Sequence, residues 1–210
     1  MKTKIVIIGT GGHAKSCAEV AFSSENYNLI GFVGNQSSNT SILGLPIIGD
    51  DNDIDKIRAH SINIHLGIGQ IKNNETRTRL YEYYKNKAFK IINLQAKTAV
   101  ISSHCEMGDS NTFLHYVTIN SSCTIGSNNI FNTKSTVEHD VKIGNNNHIS
   151  TGAILNGNVE IGHSNFIGSG SIIKEGVRIG NQVIIGAGTV VLNDILNPGI
   201  YFGNPAKKHE

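Results

Sequence analysis

The stretch Val137-Glu138-His139-Asp140-Val141-Lys142-Ile143-Gly144-Asn145-Asn146-Asn147-His148-Ile149 places an apolar residue at every sixth position, 137, 143 and 149. The same step runs back through Phe131, Ile125, Ile119, Phe113 and Met107 to Ile101. It runs forward through Leu155, Ile161, Ile167, Ile173, Ile179 and Ile185 to Val191, sixteen positions without a slip. With 39% of the chain apolar, chance does not produce such a run. Helices repeat every 3.6 residues and strands every two, whereas a parallel β-helix repeats in sixes.

A longer period fixes the geometry. Gly108, Gly126, Gly144, Gly162 and Gly180 stand 18 apart, as do Asn111, Asn129, Asn147 and Asn165, with Val183 ending that series. Cys105, Cys123, Val141, Val159, Val177 and Ile195 form a third file. Eighteen residues make one coil of three short strands and three corners, a triangular prism. The glycines are expected at corners that need positive φ. The asparagines are expected to stack as an amide ladder at the strand spacing of roughly 4.8 Å. Residues 101 to about 196 then supply about five coils, with Cys105 and Cys123 as small inward residues.

The first 95 residues follow other rules. Lys4–Ile8 reads as a buried strand, Gly9-Thr10-Gly11-Gly12 as a loop, His13–Phe22 as a helix and Leu29–Val33 as a strand. Asp53–His60 and Glu75–Asn86 read as helices, Ile62–Ile68 and Phe89–Ile92 as strands. Alternating strands and helices predict a small Rossmann-like α/β domain over 1–95, followed by a β-helix domain over 96–210.

Composition narrows the function. Net charge is +2 with no basic run, which points away from nucleic acid. No segment is long and apolar enough to span a bilayer, and the Ile5–Ile8 run is too short for a signal peptide. Three cysteines without CxxC or Cys/His metal spacing suggest reduced thiols of a cytoplasmic protein.

The inward file fills the prism, so chemistry must come from its outside. His139, between Glu138 and Asp140, is the best candidate base: a carboxylate beside an imidazole fixes its tautomer and raises its basicity. The residues alone equally allow a solvated surface histidine. One coil on from His139 stands Gly157, about 5 Å along the prism, whose N–H could serve a thioester carbonyl or oxyanion. The N-terminal Gly9-x-Gly11-x-x-Ala14 matches a dinucleotide fingerprint, but Gly34 and Asn35 stand where a ribose-binding acid belongs. The loop reads instead as a helix N-terminus cradling a diphosphate or sugar, with His13 as a further contact.

Three segments together, Ile7-Ile8-Gly9-Thr10-Gly11-Gly12-His13-Ala14, Val137–Gly144 and Phe202-Gly203-Asn204-Pro205-Ala206-Lys207, resemble one branch of the left-handed β-helix acyltransferases. That branch acetylates sugars of bacterial surface glycans. It includes N-acetyltransferases of nucleotide-linked 4-amino-4,6-dideoxy sugars, of the bacillosamine and perosamine type, and sialic acid O-acetyltransferases. The resemblance covers nearly the whole chain. It implies acetyl-CoA as co-substrate, no metal and a homotrimer with sites between subunits. It implies His139 as catalytic base, with Asp140 or Glu138 orienting it. Toward acetyl-CoA it implies His148 and Gly157, then Gly168, Ser169, Gly186 and Ala187 along the pantetheine arm, with Gly203 and Pro205 closing the site. Toward the acceptor it implies Asn132, which joins Gly9, Gly11, Gly12 and His13 of the loop and Asn35 beyond it as candidate acceptor contacts.

The family's N-acetyltransferases usually carry acids near Gly34-Asn35. Their absence here keeps an O-acetyltransferase of sialic acid or another sugar open beside N-acetylation. A carbonic anhydrase shares the hexads but needs three zinc histidines, and His104, His115, His139, His148 and His163 have no spacing that stacks three. A β-helix scaffold without activity would leave the Glu138-His139-Asp140 cluster and Gly157 unexplained.

Overall fold

The computed structural model describes residues 2–34, 41–61, 63–70 and 73–209. They form two compact units, Met1–Gly69 with Glu75–Lys97, and Gln70–Asn74 with Thr98–Glu210.

In the first unit, β1 (Thr3–Ile8), β2 (Tyr27–Val33), β3 (Ser41–Ile42), β4 (Leu45–Gly49), β5 (Asn63–Leu66) and β6 (Lys90–Ile91) form one sheet. Their order is β3-β4-β2-β1-β5-β6, parallel except for the β3–β4 hairpin. That hairpin was absent from the sequence-based reading. Central β1 is apolar over Ile5–Ile8 and wholly buried, as a parallel strand covered on both faces must be. The helices are α1 (Gly12–Ser23), α2 (Ile54–His60) and α3 (Glu75–Asn86). Helix α1 buries Ala14, Cys17, Ala18, Val20 and Ala21. Gly67 permits its close approach, because a Cβ there would lie 2.6 Å from Ile7 Cγ2 and 2.9 Å from Ala14 Cα.

Helix α3 is amphipathic, yet the face it buries contains Arg77 along with Leu80, Tyr81 and Tyr84. Arg77 is fully buried, and its Nη1 donates to the carbonyls of Leu66 and Ile68, both at 2.8 Å. Its neighbour His65 is also fully buried and donates Nδ1–H to Ile92 O at 3.0 Å. Burial, aided by the Arg77 charge, holds the His65 pKa down to about 3, so this imidazole is neutral.

The second unit is a left-handed β-helix. Its first face carries the strands Thr112–Phe113, Ile130–Phe131, His148–Ile149, Phe166–Ile167 and Val183–Ile185. The second carries Val100–Ile101, Thr118–Ile119, Thr136–Val137, Ile154–Leu155, Ile172–Ile173 and Val190–Val191. The third carries Glu106–Met107, Thr124–Ile125, Lys142–Ile143, Glu160–Ile161 and Arg178–Ile179. On the second face Val100 pairs with Thr118, Thr118 with Thr136, Thr136 with Ile154, Ile154 with Ile172 and Ile172 with Val190, all parallel. The six-residue file fills the axis: every member from Phe113 to Val191 is buried.

The asparagine ladder forms as expected. Asn111, Asn129, Asn147 and Asn165 are fully buried. Their Oδ1 atoms accept the backbone N–H one coil on, from Asn129, Asn147, Asn165 and Val183, at 2.7–2.9 Å. Each Nδ2 donates to a glycine carbonyl of the neighbouring file, as Asn147 does to Gly162 O at 2.9 Å. The ladder thus gives partners to the backbone N–H groups and glycine carbonyls that this inward corner turns toward it.

The glycine file has a different cause from the one expected. Positive φ falls two residues later, at Ser110, Asn128, Asn146, Ser164 and Gln182. The glycines are there because the coils touch: a Cβ on Gly144 would lie 2.5 Å from Gly162 O, and one on Gly162 would lie 2.6 Å from Gly180 O. The prism ends in an antiparallel hairpin of Gly199–Phe202 and Lys207–His209 on the first face.

Candidate active site

The corner between the second and third faces carries the candidate chemistry. Val137 points inward and is fully buried, which leaves the corner residues that follow it outside. His139 has a side chain 63% exposed, and its Nδ1 donates to Asp140 Oδ2 at 2.7 Å. Asp140 is fixed by the coil, with φ 61° and its N–H on Ser121 O at 3.1 Å. Glu138 does not touch the imidazole; its Oε2 accepts from Asn120 Nδ2 at 2.7 Å. Of the two flanking acids, Asp140 is therefore the one that sets the tautomer, with the ring hydrogen on Nδ1 and a lone pair on Nε2.

Gly157 stacks on His139. A Cβ there would stand 2.8 Å from His139 Cε1 and 2.9 Å from Nε2, so any side chain would push the ring aside. The adjacent N–H groups are committed to the coil, Asn156 to Ile173 O and Asn158 to His139 O. Among the described residues no carbonyl accepts Gly157 N–H. A cavity of about 550 Å³ opens here, lined by Glu138, His139, Asn156, Gly157, Asn158, Glu175 and Gly176.

His148 lies on the first face, opposite that corner, and Asn132 at the start of the corner between the first and second faces. His148 is buried, against the edge of the Phe166 ring at 5.1 Å. Its Nδ1 donates to Gln70 O at 2.6 Å and its Nε2 accepts from Asn132 Nδ2 at 3.2 Å. Asn132 Oδ1 accepts Thr133 N–H at 2.8 Å, which orients the amide. The contact with acetyl-CoA expected of His148 thus finds both ring nitrogens already bonded within the chain.

The corner between the first and second faces gathers Gly168, Ser169, Gly186 and Ala187. Gly168 is required by packing alone, since a Cβ would meet Ile185 O at 2.5 Å and Ala187 N at 2.6 Å. Gly186 likewise faces Phe202 Cβ at 2.9 Å. Ser169 Oγ bonds Ser150 Oγ at 2.9 Å. Sequence reading missed three neighbours, Gly152, Gly170 and Gly188, each with φ 66° and no atom within 4 Å of an added Cβ. Tyr116 and Lys134 hold the same stacked position with φ 61°, so the chain itself does not demand glycine there. The 18-residue spacing of 152, 170 and 188 was the available signal. Gly203 and Pro205 sit in the terminal turn, where Gly203 O accepts Val190 N–H at 3.0 Å.

In the first unit, Gly9 has φ 118° and a Cβ there would strike Ile68 Cδ1 at 2.8 Å. Gly11 and Gly12, at the start of α1, have no atom within 4 Å of an added Cβ. His13 Nε2 lies 3.6 Å from Cys17 Sγ, one turn along α1. Asn35 falls outside the described residues. Among the described residues no three His, Cys, Asp or Glu side chains gather to hold a metal, and no helix is long and apolar enough to cross a membrane.

Comparison with known proteins bears on the fold and the family. The model of the PglD N-terminal domain matches residues 4–84, and that of the bacterial transferase hexapeptide (six repeats) matches residues 158–193. No curated protein sequence matches the chain. The acetyltransferase domain of PglB from Neisseria gonorrhoeae FA1090, in complex with acetyl coenzyme A, is 30% identical with a TM-score of 0.92 over all of both chains. PerB from Caulobacter crescentus, in complex with CoA and GDP-perosamine, is 30% identical with a TM-score of 0.90, over 99% of this chain and 97% of that one. WeeI from Acinetobacter baumannii AYE shares the fold at 23% identity and a TM-score of 0.80. The fold and these matches define a hexapeptide-repeat transferase. This chain belongs to the left-handed β-helix sugar acetyltransferases that carry a PglD-type N-terminal domain, and it is an acetyltransferase.

Proposed function

We propose that this protein transfers the acetyl group of acetyl-CoA directly to the amine of a nucleotide-linked 4-amino-4,6-dideoxy sugar, with His139 as general base. The observation that carries the reading is the stacking of an Asp140-bonded His139 under the uncommitted N–H of Gly157. Nε2 takes the proton of the attacking amine as the N–C bond forms, and Gly157 N–H receives the oxyanion. The C–S bond then breaks and the imidazolium returns the proton to the CoA thiolate. The full-length similarity to PglB and to PerB, whose structure holds GDP-perosamine, supports an amine on a nucleotide sugar as acceptor.

The open edge of Gly152, Gly170 and Gly188 suits an extended arm pressed against backbone, as pantetheine would be. Gly168, Ser169, Gly186, Ala187, Gly203 and Pro205 flank that edge or the adjoining face, and would offer backbone groups to the same arm. Within the first unit, His13 and the bare loop Gly11-Gly12 would contact the nucleotide sugar.

One prism puts the glycine edge and His139 on different corners, both flanking the second face. That face presents Val100, Thr118, Thr136, Ile154, Ile172 and Val190 outward, without a charge. The first face is partly covered by the chain's own Gln70, which donates to Asn146 O and Asn165 O, while the third carries the Lys142–Glu160 pair. A second copy on the second face would bring the two half-sites together; repeated about a three-fold axis, the contact closes as a homotrimer, and the three free cysteines fit a cytoplasmic location.

The test is thiol release from acetyl-CoA with GDP-, UDP- and dTDP-linked 4-amino sugars and with N-acetylneuraminic acid. Turnover restricted to the hydroxyl acceptor would replace N-acetylation by O-acetylation. Light scattering at micromolar protein checks the assembly, and a monomer mass would overturn the trimer.

A further inference from the structure

We propose that Glu138, held by Asn120, selects an amine acceptor over a hydroxyl by accepting the hydrogen the amine keeps while His139 takes the other; this rests on the reading of His139 as the base. The two acids beside His139 are tied in different directions. Asp140 is spent on Nδ1. Glu138 is anchored at one oxygen only, by Asn120 Nδ2 at 2.7 Å. Asn120 stands one coil below and is itself bolted to the prism, its N–H on Val137 O at 2.9 Å and its carbonyl accepting from Cys105 Sγ at 3.0 Å.

The second oxygen of Glu138 meets no donor among the described residues, although Glu138 lines the same cavity as His139 and Gly157. The nearby donors are engaged elsewhere. Asn156 Nδ2 donates to Ile173 O at 2.8 Å, and Lys142 pairs with Glu160 at 2.9 Å. Glu138 thus brings a carboxylate oxygen with free lone pairs to the wall of the cavity that His139 also lines.

The hydrogen count gives that oxygen its meaning. A neutral primary amine brings two hydrogens. One leaves to Nε2 as the N–C bond forms and the C–S bond breaks, and passes to the CoA thiolate. The other stays on the product amide nitrogen, and Glu138 accepts it throughout, without itself gaining a proton. A hydroxyl brings one hydrogen, which goes to His139. It then turns only lone pairs toward a charged carboxylate, an arrangement that repels. Glu138 is thus a specificity-determining residue, and Asn120 a positioning residue that acts through it.

The experiment measures kcat and KM for wild type, Glu138→Gln, Asn120→Ala and the double variant Asn120→Asp/Glu138→Gln, with GDP-perosamine and N-acetylneuraminic acid as probes. Glu138→Gln is expected to raise KM for GDP-perosamine about 10- to 100-fold, with KM for acetyl-CoA unchanged, and to narrow the preference for amine over hydroxyl. Asn120→Ala is expected to do the same more weakly. The double variant restores the hydrogen bond with donor and acceptor exchanged, so it should regain wild-type melting temperature while keeping the raised KM. A double variant that recovers KM as well would show that the pair only braces the coil, and would overturn the inference. So would a Glu138→Gln enzyme that matches wild type on the amine while His139→Ala is crippled, an outcome that leaves the proposed function standing. Activity of the wild type on no acceptor would sink the proposed function first, and this inference with it.

Discussion

Two files of glycine run along the same prism, 18 residues apart within each, and they exist for opposite reasons. At Gly144 a Cβ would collide with the carbonyl of the next coil at 2.5 Å, whereas at Gly170 it would meet nothing within 4 Å. The first file is glycine because the chain crowds itself. The second stands where this chain also places Tyr116 and Lys134 at the equivalent corner, so crowding does not demand it, and the proposed function gives it to the pantetheine arm. Identical residues at identical spacing thus separate into crowded and open positions only when neighbouring atoms are counted. The same contrast divides the two acids beside His139, one bonded to the imidazole and one anchored away from it.

The largest effect expected is at the corner with chemistry. His139→Ala should lower kcat about 10²–10⁴-fold, roughly 3–5 kcal/mol of barrier, with KM for acetyl-CoA nearly unchanged. An enzyme retaining more than about a third of wild-type kcat on its best acceptor would remove His139 as the base, and Asp140→Asn should cost less than His139→Ala. Architecture comes next. Asn147→Ala strips the acceptor from the buried N–H of Asn165 and the donor from Gly162 O, and should destabilise by roughly 2–3 kcal/mol in denaturant melts, with kcat intact in what remains folded. A variant as stable as wild type would deny the ladder its structural part.

Gly144→Ala and Gly170→Asn sharpen the comparison directly. The first should cost roughly 1–3 kcal/mol of stability and leave KM for acetyl-CoA alone. The second keeps a residue type that already adopts positive φ at Asn128, Asn146 and Asn158, so melting should barely move while KM for acetyl-CoA rises about 10-fold. Equal behaviour of the two variants in both assays would erase the distinction between the files.

The α/β unit carries the effect that is absent at neutral pH and grows only below it. The pKa of His65 is lowered from 6.5 to about 3 in the fold, chiefly by burial. Between those values the unfolded chain binds a proton that the native chain does not, so stability falls as pH falls, by about 1.4 kcal/mol per pH unit from this group. Full stability is present above pH 6.5. His65→Gln should flatten that part of the profile in chemical denaturation between pH 6.5 and 4, and an unchanged slope would refute the assignment.

The sequence by itself determined the prism. A six-residue apolar step and an 18-residue repeat satisfy only a three-sided coil, and a file of asparagines can lie inside it only as a ladder, because a buried amide must find partners. The alternation of strands and helices in the first half was equally legible, since each element writes its own period. The candidate base could be seen as well, from a histidine set between two acids just past an inward valine. Only the tertiary structure decided which acid holds the imidazole. Adjacent residues at a corner diverge, and Glu138 meets Asn120, which is remote in sequence and near only through the coil. Only the tertiary structure turned Arg77 inward on an amphipathic helix, because the carbonyls of Leu66 and Ile68 at the end of β5 could take its charge. And only there did the glycines separate, since crowding is a property of atoms brought together by stacking, and the pattern of letters is the same for a residue that must be small and one that leaves room for a ligand.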